Sequence, residues 1–153
     1  MHELTEGSVP IGEVAGFEVR LRYSHEFPEL DYAARLAWHE CVELRQQPLR
    51  EFVEGVLESV TTDSLRVAAY REGQPVAITV FAVEQDPHVG ACLSVQWNYC
   101  SKAFRASGWG RVVVRLLQKC MRELGIPTGC YTQRRGPGVY MLKYITHRGA
   151  FRG

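Results

Sequence analysis

A mixed α/β sheet with helices packed against it is the fold class this sequence predicts, from three observations. Stretches of alternating apolar and polar residues mark strands, and stretches with apolar residues three and four apart mark helices. Their order is strand, two helices, three strands in an antiparallel meander, a glycine loop, a helix, a strand and a last helix. The chain has 153 residues, 46% hydrophobic and 23% charged, which suits one domain with a real core and argues against a disordered chain.

Residues 1–15 hold Gly7, Pro10 and Gly12 with few periodic apolar residues, and read as an N-terminal arm ahead of a single domain over 16–153. Residues 17–23 alternate, a half-buried strand, and 24–28 form a turn. Residues 29–47 place Leu30, Ala33, Ala34, Ala37, Cys41 and Leu44 on one helical face. Pro48 suits the first turn of a second helix, over 49–60, with Phe52, Val53, Val56 and Leu57 at helix spacing. Strands follow at 64–70 and 75–83, joined by an Arg-Glu-Gly-Gln turn, and at 91–100. Residues 111–124 form an amphipathic helix that Gly125 caps. Residues 128–132 read as a short strand and 138–147 as a final helix.

Net charge is +1, but it is unevenly spread. Residues 1–86 hold sixteen acids and seven Lys/Arg, whereas 87–153 hold one acid, Glu123, and eleven Lys/Arg. Such asymmetry suggests that the second half handles an anion, be it nucleic acid, a membrane surface or a phosphorylated cofactor. No apolar run is long enough to span a membrane, and the start lacks the pattern of a secretory signal. Five scattered cysteines without a CxxC pair argue against a disulfide framework and a structural zinc site. A reducing, cytoplasmic location is the expectation.

The informative stretch runs from Ser101 to Gly110, between a strand and a helix. Its glycines let backbone N–H groups approach a ligand, and the helix after it adds free N–H groups and the positive end of its dipole. Together they make an anion site, most naturally for a pyrophosphate, with Lys102, Arg105 and Arg111 beside it. The stretch lacks the Lys-Ser/Thr of a P-loop and is not GxGxxG. Arg105-x-x-Gly108-x-Gly110 instead resembles the Q/R-x-x-G-x-G/A element of the GNAT N-acetyltransferase superfamily. Phe104, the helix over 111–124 ending in Gly125-Ile126, the strand over 128–132 and the element order from Phe17 to Phe151 extend the likeness.

That resemblance implies the acyl-CoA N-acyltransferase fold, an antiparallel meander followed by β-loop-α-β-α, with acetyl-CoA as co-substrate. By it, the backbone N–H groups of Ala106, Ser107, Gly108, Trp109 and Gly110 would hold the pyrophosphate, with Arg105 and Arg111 supplying full charges beside them. The strand end Asn98, Tyr99 and Cys100 would pair with the pantetheine amides. An amine would attack the thioester directly, which needs a route for the ammonium proton and a donor for the leaving thiolate. No Asp or Glu occurs between Asp86 and Glu123, so Glu84 is the base candidate, with Asp86 and His88 near it. Tyr144 and Tyr140 are the acid candidates, on the expected last helix. Arg134 and Arg135 would meet the cofactor's 3′-phosphate, an acidic partner or only solvent. Glu40 and Glu43 read as ordinary helix surface, and Cys100 as a buried thiol rather than a nucleophile.

Three functions stay open at this stage. The first is an N-acetyltransferase acting on a small-molecule or protein amine, a cationic one if the acidic half borders the acceptor, working as a monomer, homodimer or larger assembly. The second is a catalytically inactive domain of the same fold serving a larger assembly, such as a virus particle. The third is a nucleic-acid binder using the stripe Arg111, Arg115, Lys119 and Arg122, with aromatic residues nearby.

Overall fold

The computed structural model describes residues 7–14, 16–23, 26–60 and 63–151, and only the backbone of Val14, Ala106, Ser107 and Ala150. In chain order the elements are β1 (Ser8–Val14), β2 (Phe17–Arg22), α1 (Pro28–Glu40), a 3₁₀ turn (Val42–Gln46), α2 (Leu49–Ser59), β3 (Leu65–Arg71), β4 (Gln74–Asp86), β5 (Gly90–Cys100), a second 3₁₀ turn (Lys102–Ser107), α3 (Trp109–Leu124), β6 (Thr128–Gly136), β7 (Val139–Thr146) and β8 (Gly149–Ala150). All eight strands join one sheet, in sequence order. Every neighbouring pair is antiparallel except β5–β6, whose connection crosses through the single helix α3 and returns the chain to the same end; the β2–β3 connection passes through two helices and stays antiparallel.

Three expectations are corrected. The arm is in part a strand: Ser8–Val14 pairs with β2, while residues 1–6 and 15 lie outside the described residues, as do 24–25 of the expected turn. An edge strand tolerates Pro10, and a register shift between Pro10 and Gly12 leaves Ile11 as the extra residue, so the residues that suggested an arm do not forbid pairing. The first helix stops at Glu40, because Cys41 is extended (φ −115°, ψ 109°) and a 3₁₀ turn follows. The expected last helix is strand β7. Gly138, at φ 72°, turns the chain back so that β7 pairs with β6 along its length, and Val-Tyr-Met-Leu-Lys-Tyr-Ile-Thr is rich in β-branched and aromatic residues. So short an apolar run does not separate the two periods.

The sheet is covered on both faces. Phe17, Val19, Val67, Ala69, Phe81 and Leu93 pack under α3, against Trp109, Val113, Leu117 and Met121. Ala68, Tyr70, Ile78 and Val80, on the opposite face, pack under α1 and α2 against Leu30, Ala34, Phe52 and Val53. The alternation shifts at a bulge in β5: Val80 pairs with Trp97 and Phe81 with Val95, leaving Gln96 as the extra residue. Leu93 and Val95 therefore face α3, Trp97 packs on the α1/α2 side, and Asn98 reaches Trp109 of α3 again.

Gly129 of β6 sits where α3 comes closest. A Cβ there would lie 2.6 Å from Met121 Sδ and 3.2 Å from Leu117 Cδ2, and both side chains are fully buried. Gly129→Ala is expected to lower the unfolding free energy by about 1–3 kcal/mol, the usual cost of overpacking a closed core, read as a lower urea midpoint at unchanged slope.

Candidate functional site

β6 stays beside β5 for three pairs, Cys92–Thr128, Leu93–Gly129 and Ser94–Cys130, and then leaves it. From Val95 on, β5 turns its β6-facing backbone groups into the gap. Tyr131–Arg134 forms the other wall, and the gap is a cleft of about 860 Å³. It passes through the sheet. On one face Trp109, Gly110, Arg111, Val114, Arg115 and Gln118 of α3 line it, and on the other Ala37, Cys41 and Leu44.

The N-terminus of α3 opens into this cleft. Gly108 holds φ 89°, and its carbonyl accepts from the N–H of Arg111 (3.1 Å) and of Val112 (3.2 Å). The first-turn N–H groups ahead of them have no acceptor within the helix. Trp109 anchors this end: it is buried, edge-on to Phe17 at 5.4 Å between ring centroids, and its indole N–H donates to Asn98 Oδ1 at 2.9 Å. Asn98 thus has its side-chain oxygen committed to the helix, while the residue itself is exposed and lines the cleft. A Cβ at Gly108 or Gly110 would meet nothing within 4 Å, so both glycines border open space.

Arg105 does not point freely at this site. Its Nε donates to the Cys100 carbonyl (3.2 Å), its Nη2 donates to the Tyr99 hydroxyl (2.7 Å), and Glu40 Oε1 lies 3.4 Å from Nη2. Glu40 also accepts from the Lys102 N–H (2.9 Å) and from the Tyr99 hydroxyl. Burial, then the bond to Glu40, push the Tyr99 phenol up. Cys100 is buried, and burial pushes its thiol up to about 11, which leaves it no nucleophilic character at neutral pH.

A second glutamate closes the other side. Glu43, in the 3₁₀ turn after α1, accepts from Arg134 Nε (2.6 Å) and Nη2 (2.8 Å), from the Gly138 N–H (3.2 Å) and from the Tyr140 hydroxyl (2.8 Å). The Arg134 guanidinium holds the Glu43 carboxyl well below the usual carboxylate range. Burial and Glu43 raise the Tyr140 phenol. This latch ties the α1/α2 side to the β6–β7 hairpin, and Tyr140 and Arg134 both line the cleft. Glu40 and Glu43 are therefore not plain helix surface. Their three-residue spacing is visible in the sequence, but neither the helix end at Glu40 nor their arginine partners, 65 and 91 residues away, is.

The other catalytic candidates stand elsewhere. Tyr144 pairs with Cys130, at the closed end of the split, and its hydroxyl donates to Asp86 Oδ2 at 2.9 Å, with His88 Nδ1 at 3.3 Å. The Asp86 carboxyl is held down first by the His88 N–H, and Asp86 in turn raises Tyr144. Glu84 accepts from Gln96 Nε2 at 3.2 Å and is absent from the cleft lining. Of the three catalytic candidates, only Tyr140 borders the cleft. Among the described residues no Asp or Glu lines it, while Arg105, Arg111, Arg115, Arg134 and Lys143 do. The supposed basic stripe of α3 is partly an internal contact: Arg122 Nη1 donates to the His147 carbonyl (3.3 Å), and Arg111 and Arg115 face the cleft. No grouping of His, Cys, Asp and Glu among the described residues could hold a metal ion, and no described helix is long and apolar enough to cross a membrane.

No protein-family model matches the chain, and no curated protein matches it in sequence. Solved structures do match in shape. A protein of Clostridium acetobutylicum described as a predicted acetyltransferase, solved with acetyl-CoA, superimposes with a TM-score of 0.57 at 12% identity over 78% of this chain and 82% of its own. Ribosomal-protein-alanine N-acetyltransferase of Brucella melitensis biovar Abortus 2308 gives 0.55 at 18% identity over 79% and 82%. The PaiA N-acetyltransferase of Thermoplasma acidophilum, in complex with coenzyme A, gives 0.53 at 13% over 79% and 81%. The fold is that of the GNAT N-acetyltransferases. Within this GNAT fold, the split pair β5–β6, the glycine turn and α3 fall in the chain order expected for the superfamily's loop and helix.

Proposed function

We propose that this protein is an N-acetyltransferase that moves an acetyl group from acetyl-CoA to an amine by direct attack. The observation that carries the reading is the strand split at the α3 N-terminus, which opens a cleft with free backbone groups on one strand and helix N–H groups at its end. Acetyl-CoA supplies the activated acyl group as a thioester. The residues fit such a co-substrate: Gly108 and Gly110 leave open space, Arg111 adds a charge, and the walls are largely apolar and aromatic.

On this reading the backbone N–H groups from Ala106 to Gly110 hold the pyrophosphate, with the Arg111 side chain adding charge, and the edge of β5 from Asn98 to Cys100 receives the pantetheine amides. Arg105 acts mainly through position, because Glu40 and Tyr99 fix it. Tyr140 is the proton donor: its O–H, which rests on Glu43 Oε2, turns from Glu43 to protonate the departing thiolate. With no carboxylate in the cleft lining, the amine's proton leaves through water, and the acidic half of the chain gives no support to a cationic acceptor. The same lack of carboxylate supports a second reading, a catalytically silent domain of this fold in a larger assembly.

Calorimetric titration tests the first reading. Acetyl-CoA is expected to bind at one site per chain, and no heat up to millimolar concentration would reject it. Tyr140→Phe is expected to lower turnover about a hundredfold, the scale of one lost general acid, with acetyl-CoA affinity within about twofold. Saturable binding without turnover of any amine would favour the silent domain.

A further inference from the structure

The cleft passes through the sheet and so has two halves. One holds the α3 N-terminus. The other lies on the α1 side and holds Tyr140, whose hydroxyl meets Glu43 there. On the acetyl-transfer reading, an acyl group carried past α3 meets its acceptor in this second half. The bulge at Gln96 turns Trp97 and Tyr99 to the same side, where the Tyr99 hydroxyl reaches Glu40 at the end of α1. Ala37, Cys41 and Leu44 complete the wall from α1 and the turn after it. The two cations lining this half, Arg105 and Arg134, are matched by Glu40 and Glu43. The Arg105 guanidinium also stands 5.3 Å from the centre of the Tyr99 ring, so a cation already takes up that ring. Among the described residues, this half offers an ammonium ion no uncompensated negative charge. Proton chemistry points the same way. An alkylamine is an ammonium ion at neutral pH and must lose a proton before its nitrogen can attack. Among the described residues, the cleft lining holds no carboxylate and no imidazole to take that proton. Glu43 reaches this half through Tyr140, but Arg134 holds its carboxyl well below the usual carboxylate range, which makes it a poor base.

We propose that the acceptor is an aromatic amine, uncharged at neutral pH, whose ring rests on the apolar wall of Ala37, Leu44 and Trp97. The proposal rests on the acetyl-transfer reading above. The ring draws in the nitrogen's lone pair, so the amine arrives unprotonated and needs no base before it attacks. Its nitrogen bonds to the thioester carbonyl carbon, and the carbon–sulfur bond breaks. The departing thiolate takes the Tyr140 proton. The N–H proton, made acidic by the ring and the new acyl group, passes to water and from water to the Tyr140 oxygen. The products are the aryl amide and free coenzyme A. Aniline and benzylamine test the proposal, since they differ by one methylene and only benzylamine is an ammonium ion at pH 7.5. With the full chain and saturating acetyl-CoA, kcat/KM is expected to be at least about tenfold higher for aniline. Leu44 is half-buried, and Leu44→Glu puts a carboxylate on the wall. That variant is expected to move the ratio at least about tenfold toward benzylamine, with acetyl-CoA affinity within about twofold showing that the fold persists. Equal or better use of benzylamine by the wild type, an unchanged ratio in Leu44→Glu, or acetyl-CoA binding with neither amine acetylated would overturn the acceptor class and leave cofactor binding intact. Failure to bind acetyl-CoA would instead remove the acetyl-transfer reading, and the acceptor with it.

Discussion

Arg22→Met is expected to cost about 3–5 kcal/mol of unfolding free energy at neutral pH, the usual consequence of stranding one member of a buried ion pair. Arg22 on β2 and Glu29 on the first turn of α1 are 2% and 0% exposed in their side chains. Arg22 donates through Nη2 to Oε1 and through Nε to Oε2 (3.2 Å). Methionine matches the aliphatic stem but not the charge, so Glu29 would stay enclosed between helix and sheet without its counter-ion. For a domain of this size the melting temperature should fall by about 10 °C. The double change Arg22→Met/Glu29→Met should recover most of the loss, because an apolar pair of similar volume has no charge to desolvate.

The pH dependence gives an independent sign. Burial raises the Glu29 carboxyl above the usual carboxylate range even with Arg22 beside it. A carboxyl whose folded pKa is raised binds its proton more tightly in the folded state. Its contribution favours folding at low pH and is lost as pH rises through the folded value. Without Arg22 that displacement widens, so the deficit of Arg22→Met should shrink between pH 8 and pH 5. A loss under about 1 kcal/mol, or one that grows toward acid, would mean that Glu29 reaches solvent.

Local signals account for most of the architecture that was legible in the sequence. The alternation of β2, the strand-forming apolar runs of β3 to β5, the apolar stripe of α3 and the glycines ahead of it each depend on neighbours a few residues apart. The last element was misread because Tyr140 to Ile145 carries apolar residues consistent with either period, and only pairing with β6 decides between them. The site divides the same way. The glycine turn and its helix are contiguous and were readable, whereas the Glu40–Arg105 and Glu43–Arg134 pairs join residues 65 and 91 positions apart. The charge asymmetry foretold an anion-handling half, yet it did not say which cations are cancelled. Arg105 and Arg134 are paired with acids from the negative half, so the field that a ligand meets comes mainly from Arg111, Arg115 and Lys143.

That distribution makes Gly110 the sharpest place to challenge the proposed site. Gly108 is the more obvious glycine, but at φ 89° any side chain strains the backbone by about 1–2 kcal/mol, and lost binding would be confounded with lost stability. Gly110 lies in the first turn of α3 with ordinary helical backbone, lines the cleft, and offers open space to an added Cβ. Gly110→Trp should leave the urea midpoint unchanged or slightly higher, since glycine is a poor helix residue. An indole there would occupy the space in front of the helix N–H groups. Acetyl-CoA affinity is expected to fall at least about a hundredfold, close to 2.7 kcal/mol. Gly55→Trp is the control, because Gly55 is exposed on the outer side of α2 with equally open space and no part in the cleft. Full affinity in Gly110→Trp would place the cofactor away from the α3 N-terminus, and the strand split would then need a different ligand.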